Sequence, residues 1–109
     1  MHTGEMDEHQ RVSWTHMLER VASFEQGELD LGQLVAALRS EYIEADPHDA
    51  RIRAEFESMW SPIDGENELR TESWAPPGAA NDDRLRDVLH AFSAWVEKVL
   101  ASDSTTDHR

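Results

Sequence analysis

Apolar residues return every three or four positions through almost the whole chain, and nowhere do they alternate with polar ones as a half-buried strand requires. Four stretches carry the helical rhythm. The first spans residues 8 to 26, with Asp7 at its cap, Gln10 three residues on, and Trp14, Met17, Leu18, Val21 and Phe24 on one stripe. Gly27 follows where a left-handed residue commonly ends a helix. The second begins with the clearest start signal in the chain. Asp30 can cap, Gln33 stands three residues on, and Leu29 can close over Leu34. Its face is Leu31, Leu34, Val35, Leu38 and Tyr42.

Asp46-Pro47 reads as the third start, an acid at the cap and proline at the first helical position. Ile52, Phe56, Met59, Trp60 and Ile63 form the stripe that follows. Pro62 lies within it and lacks a backbone donor, so the pattern predicts a kink or a restart there, with Ser61 able to cap a short turn running toward Leu69. The stretch Thr71-Glu-Ser-Trp-Ala-Pro-Pro-Gly-Ala-Ala-Asn81 forbids regular structure. A fourth helix opens at Asn81, with Asp82 and Asp83 favourably placed against its dipole. Leu85, Val88, Leu89, Phe92, Trp95, Val96 and Val99 give it the broadest apolar face. The expected architecture is therefore all-α: a mostly antiparallel four-helix bundle with a kinked third helix and a Pro-rich loop before the last. Residues 8–101 form the domain, and residues 1–7 and 102–109 are read as flexible ends.

Composition narrows what such a bundle can do. The 109 residues carry a formal charge of −13, and Lys98 is the only lysine. Glu41, Glu44, Asp46, Asp49, Glu55, Glu57, Asp64, Glu66 and Glu68 fall in one stretch, opposed in sequence only by Arg51 and Arg53. Direct nucleic-acid binding is disfavoured, because its affinity comes from Lys and Arg neutralising phosphates. The remaining arginines are scattered among acids and read as intrahelical partners, Arg53 with Glu57 being an example. No cysteine is present, the N-terminal residues lack an apolar signal-like core, and no apolar run approaches membrane-spanning length. The expected address is the cytoplasm, with no membrane partner.

Catalysis finds little footing. Asp87 and His90 lie three apart on the fourth helix, but a di-metal bundle needs two Glu-x-x-His pairs and two further carboxylates. His2, His9 and His16 recur every seven residues, but two of the three fall in or near the end read as flexible. Ser13, Ser23, Ser40 and Ser58 sit within helical patterns, without a Gly-x-Ser-x-Gly elbow. The expectation is a protein without enzymatic activity, cofactor or metal. A carboxylate metalloenzyme stays the third reading.

The surplus acid is either a solubilising coat or an address for something positive. Asp64, Glu66, Glu68 and Glu72 cluster around the proline, and Trp74 lies beside them with no helical stripe to complete. An aromatic ringed by charge is a common interface arrangement. The candidate partner-binding residues are thus Glu57, Asp64, Glu66, Glu68, Glu72 and Trp74. Trp74 could equally fold back as a lid on the bundle.

The runs Phe24-Glu25-Gln26-Gly27-Glu28-Leu29, Ala54-Glu55-Phe56 and Trp60-Ser61-Pro62-Ile63-Asp64 resemble the colicin D-type immunity proteins, bacterial toxin antidotes, across residues 14 to 100. Among the acids, Asp64 at the bend is the one that matches individually. The resemblance implies an acidic four-helix bundle that blocks a tRNA-cleaving toxin by filling its basic groove. Carboxylates would then stand in for RNA phosphates, and Trp74 would anchor the contact. The alternative is a small helical adaptor or regulatory subunit that binds a protein through an apolar groove.

Overall fold

The structure, a computed structural model, describes residues 8–71 and 81–107, with side chains to residue 102. It is all-α: α1 (Glu8–Glu25), α2 (Leu31–Ala45), α3 (Ala50–Thr71) and α4 (Asp82–Asp107). Each helix packs on two neighbours, α1 on α2 and α4, and α3 on α2 and α4. Among the described residues neither diagonal pair approaches closely, so the four close into a ring around one core. Cross-helix bonds fix the directions. Gln10 Nε2 near the start of α1 donates to the Ala45 carbonyl at the end of α2, 2.9 Å away. Trp60 Nε1 donates to the Val35 carbonyl and Arg39 to Glu57, so α3 runs against α2. Trp95 Nε1 donates to Glu55 and Arg70 to Asp82, so α4 runs against α3. The bundle is up-down-up-down.

The local signals of the first, second and fourth helices are seen in place. Gly27 takes φ 86°. The Glu28 N–H donates to Ser23 and the Gly27 N–H to Phe24, a Schellman ending that satisfies carbonyls left open by the last turn. Asp30 and Gln33 form a reciprocal capping box. The Asn81 side chain accepts from the Arg84 N–H and caps α4. The helix then continues to Asp107, past the expected end at residue 101. Asp7 lies outside the described residues.

Two expectations for the third helix are corrected. Asp46 ends α2 instead of starting α3: it adopts φ 45°, ψ 58°, and its N–H returns to the Tyr42 carbonyl. α3 starts at Ala50 behind Asp49, whose carboxylate accepts from the Arg51 N–H and whose carbonyl accepts from Arg53. Nor does the chain restart at Ser61, since α3 is one unbroken helix with Pro62 inside it. Proline removes the bond to the Ser58 carbonyl, but Ser58 and Pro62 both lie on the exposed side, where water can satisfy that oxygen.

The core gathers Trp14, Met17, Val21, Leu31, Leu34, Val35, Leu38, Phe56, Ile63, Leu85, Leu89, Phe92 and Val96. Its centre is aromatic and draws on all four helices. Phe56, wholly buried, stacks on Tyr42 at 3.9 Å between centroids and meets Phe92 edge-on at 6.1 Å. Trp14 meets Trp95 edge-on at 5.4 Å. Such pairs contribute roughly 0.5–1.5 kcal/mol each beyond the area they bury. Trp60 and Trp95 are half-buried, each with its indole N–H bonded. No helix among the described residues is long and apolar enough to cross a membrane.

Candidate partner-binding face

α3 turns its apolar stripe of Phe56, Met59 and Ile63 toward the core, so whatever lies opposite faces water. Glu57, Asp64 and Glu68 are seven and four residues apart, which on a helix places them within about 40° of one another on that outer side. Glu57 and Glu68 are exposed and Asp64 is half-buried. Glu72 and Trp74 lie outside the described residues. The structure therefore brings three of the six candidates together.

Glu66 goes elsewhere. It lies about 180° from the Glu68 side and is only 4 % exposed. Arg70 Nη1 donates to its carboxylate at 2.8 Å, and Arg84 Nε, from α4, donates to the other oxygen. Arg70 also reaches Asp82 at 3.0 Å, so the cluster joins the last turn of α3 to the first turn of α4. Burial alone would raise the Glu66 carboxyl's pKa. The hydrogen bonds and charges of Arg84 and Arg70 outweigh it and hold the group below its ordinary value. Arg70 mirrors this: burial works against its charge, and Glu66 and Asp82 raise its pKa regardless. Glu66 is thus an internal strut, turned away from the face that Glu57, Asp64 and Glu68 share. A sequence signal for it exists. Met59, Ile63, Glu66 and Arg70 follow the i, i+4, i+7, i+11 rhythm of the buried stripe.

Most other acids of the 41–68 stretch are also engaged within the molecule. Arg20 of α1 donates to Glu41 at 3.1 Å, and His16 lies 3.4 Å from its other oxygen. His9 lies 3.3 Å from Glu44. Glu55 accepts from Trp95, and Asp49 is a cap. Glu57 binds Arg39 of α2 at 2.6 Å, and Arg53 turns back to the carbonyls of Pro47 and His48. The expected Arg53–Glu57 pair is therefore replaced by a bond across two helices. Asp46, Asp64 and Glu68 are the members of the stretch whose carboxylates have no hydrogen bond or ion pair with a described residue.

Beside the α3 stripe, the seam with α2 carries an ordered aromatic surface. The Arg39 guanidinium sits 5.0 Å from the Trp60 ring centroid and 5.7 Å from that of Tyr42. One turn along α2, Ile43 is 64 % exposed. Arg39 did not stand out in the sequence, because Trp60 and Glu57, which it meets, belong to another helix.

Among the described residues no three His, Asp or Glu side chains converge in a way that could hold a metal ion. Asp87 and His90 both face outward on α4. Comparison with protein-family models, curated proteins and solved structures finds no match to this chain.

Proposed function

We propose that this protein is an acidic immunity-type protein whose outer α3 face docks on the cationic groove of a toxin domain, a nuclease in the reading that the colicin D-type resemblance supports. One observation carries the proposal. Asp64 and Glu68 are like charges one turn apart, unpaired among the described residues, in a molecule that partners most of its neighbouring acids. Such a pair costs a helix roughly 0.2–0.5 kcal/mol. It sits on a helix already weakened by Pro62 and Gly65. A partner that brings arginine or lysine to the face would turn that cost into attraction. Inhibition would be steric and electrostatic: Glu57, Asp64 and Glu68 occupy the place of RNA phosphates, and Glu72 and Trp74, which lie outside the described residues, are the further contacts expected from the sequence. No covalent step is involved.

Co-expression with the product of the adjacent gene tests the idea. The expected result is a complex that co-purifies at low salt and falls apart as ionic strength rises, since exposed charges are screened over about 8 Å at 0.15 M salt. A neighbour that is neither basic nor bound would count against it.

Exposed Ile43 beside the Trp60–Arg39–Tyr42 surface favours a second reading, an adaptor or regulatory subunit with an apolar contact. In that case binding would resist salt, and Ile43→Ser or Trp74→Ala would weaken it more than Asp64→Lys.

A further inference from the structure

The two ends of the bundle differ in what joins α3 to α4. Toward the end where α1 begins and α2 finishes lie the aromatic contacts of Trp14, Tyr42, Phe56, Phe92 and Trp95. At the opposite end, where Ile63 and Leu85 belong to the core, a buried carboxylate of α3 holds two guanidinium groups, one of them from α4. We infer that Glu66 is a charge-held latch, so that neutralising this one side chain opens the α3–α4 end while the aromatic end stays closed.

The charged groups bonded to Glu66 are Arg70 from its own helix and Arg84 from α4, with Asp82 of α4 behind Arg70. No charged side chain of α1 or α2 pairs with it among the described residues. With the carboxylate neutral, two arginines face each other across the joint. The Arg70–Asp82 bond remains, weakened by solvent because the Asp82 side chain is 92 % exposed. A glutamine at position 66 keeps the shape but offers one acceptor where there were two, and its amide N–H₂ finds only donors. At the other end Phe56 meets Phe92 and Trp95 through their rings, and the buried Glu41 there keeps its own partners, Arg20 and His16. Opening of one end as a cooperative unit is the expected response. The inference does not depend on what α3 binds.

Amide hydrogen exchange at neutral pH, followed residue by residue, tests it on the full chain. In Glu66→Gln, protection over 66–71 and 82–89 should fall by about tenfold or more, with amides around Phe56 and Phe92 within about twofold of the parent. The triple change Glu66→Leu, Arg70→Met, Arg84→Met should restore most of the lost protection, since apolar groups of similar size replace a buried ion cluster without stranding a charge. Equal loss across all four helices, or no loss in Glu66→Gln, would overturn the latch. Should Glu66→Gln fail to fold, acid titration of the unaltered protein decides. Ile63 and Leu85 methyl signals must then move at a higher pH than the Phe56 and Phe92 ring signals, and coincident transitions refute the inference.

Discussion

Pro62→Ala should stabilise the protein substantially. α3 runs unbroken through position 62, yet proline there supplies no N–H for the Ser58 carbonyl. An interior proline costs a helix about 3 kcal/mol relative to alanine. Part of that is already offset, because proline also restricts the unfolded chain, by about 0.4–1 kcal/mol. The net gain expected is about 2 kcal/mol. Pro62 is exposed, so the substitution removes no core contact. Three residues on, Gly65 has open space where a Cβ would go, and Gly65→Ala should add about 1 kcal/mol. For a domain of this size 1 kcal/mol moves the midpoint by about 4–8 °C, so Pro62→Ala should raise Tm by roughly 8–16 °C. Urea unfolding, with an unchanged slope and a higher midpoint, is the companion measurement. A neutral or lower Tm would mean that α3 needs a bend at Pro62 to pack on α2 and α4, and the account of an unbroken helix weakened on its wet side would be wrong.

Phe56→Ala removes the ring that ties Tyr42 to Phe92 and should cost about 3–5 kcal/mol, enough to leave the chain largely unfolded by circular dichroism. Gly27→Ala forces a Cβ into φ 86° and should lower stability by about 1 kcal/mol in a urea titration, although the added carbon meets no neighbour. Glu66 is more acidic folded than unfolded, so its contribution is fully present above the ordinary carboxylate pKa. It is lost as pH falls through the lowered value, in the region below about pH 4. Acid unfolding of Glu66→Gln should accordingly be flatter than that of the parent across that window, and identical profiles would contradict the sign of the shift.

What the sequence disclosed was what local chemistry decides. Gly27, the Asp30–Gln33 box and Asn81 act within a few residues of themselves, and each does in the structure what its type and spacing suggest. The apolar rhythm likewise places Trp14, Phe56 and Phe92 in the core. Asp46-Pro47 misled because two demands fall on one residue. An acid before proline is a good helix start, but Asp also tolerates the left-handed conformation, and here it closes α2. Partner choice among charges was hidden for a different reason. Whether Glu57 bonds Arg53 on its own helix or Arg39 on the next depends on the register between α2 and α3, which pairwise spacing does not encode. Glu66 could have been separated from Glu57, Asp64 and Glu68 by its place on the buried stripe. Proximity in sequence grouped acids that the helix puts on opposite sides.

The claim that matters most is that the wet face of α3 receives a cationic protein. Stopped-flow association of the co-purified neighbour with the parent and with Asp64→Lys/Glu68→Lys, across a range of ionic strength, addresses it directly. Attraction between opposite charges acts chiefly on encounter, so the double reversal should slow association by about tenfold or more at low salt. The difference should shrink as salt rises, and the helical signal should stay intact. Equal association rates for the two proteins at every salt concentration would contradict the claim.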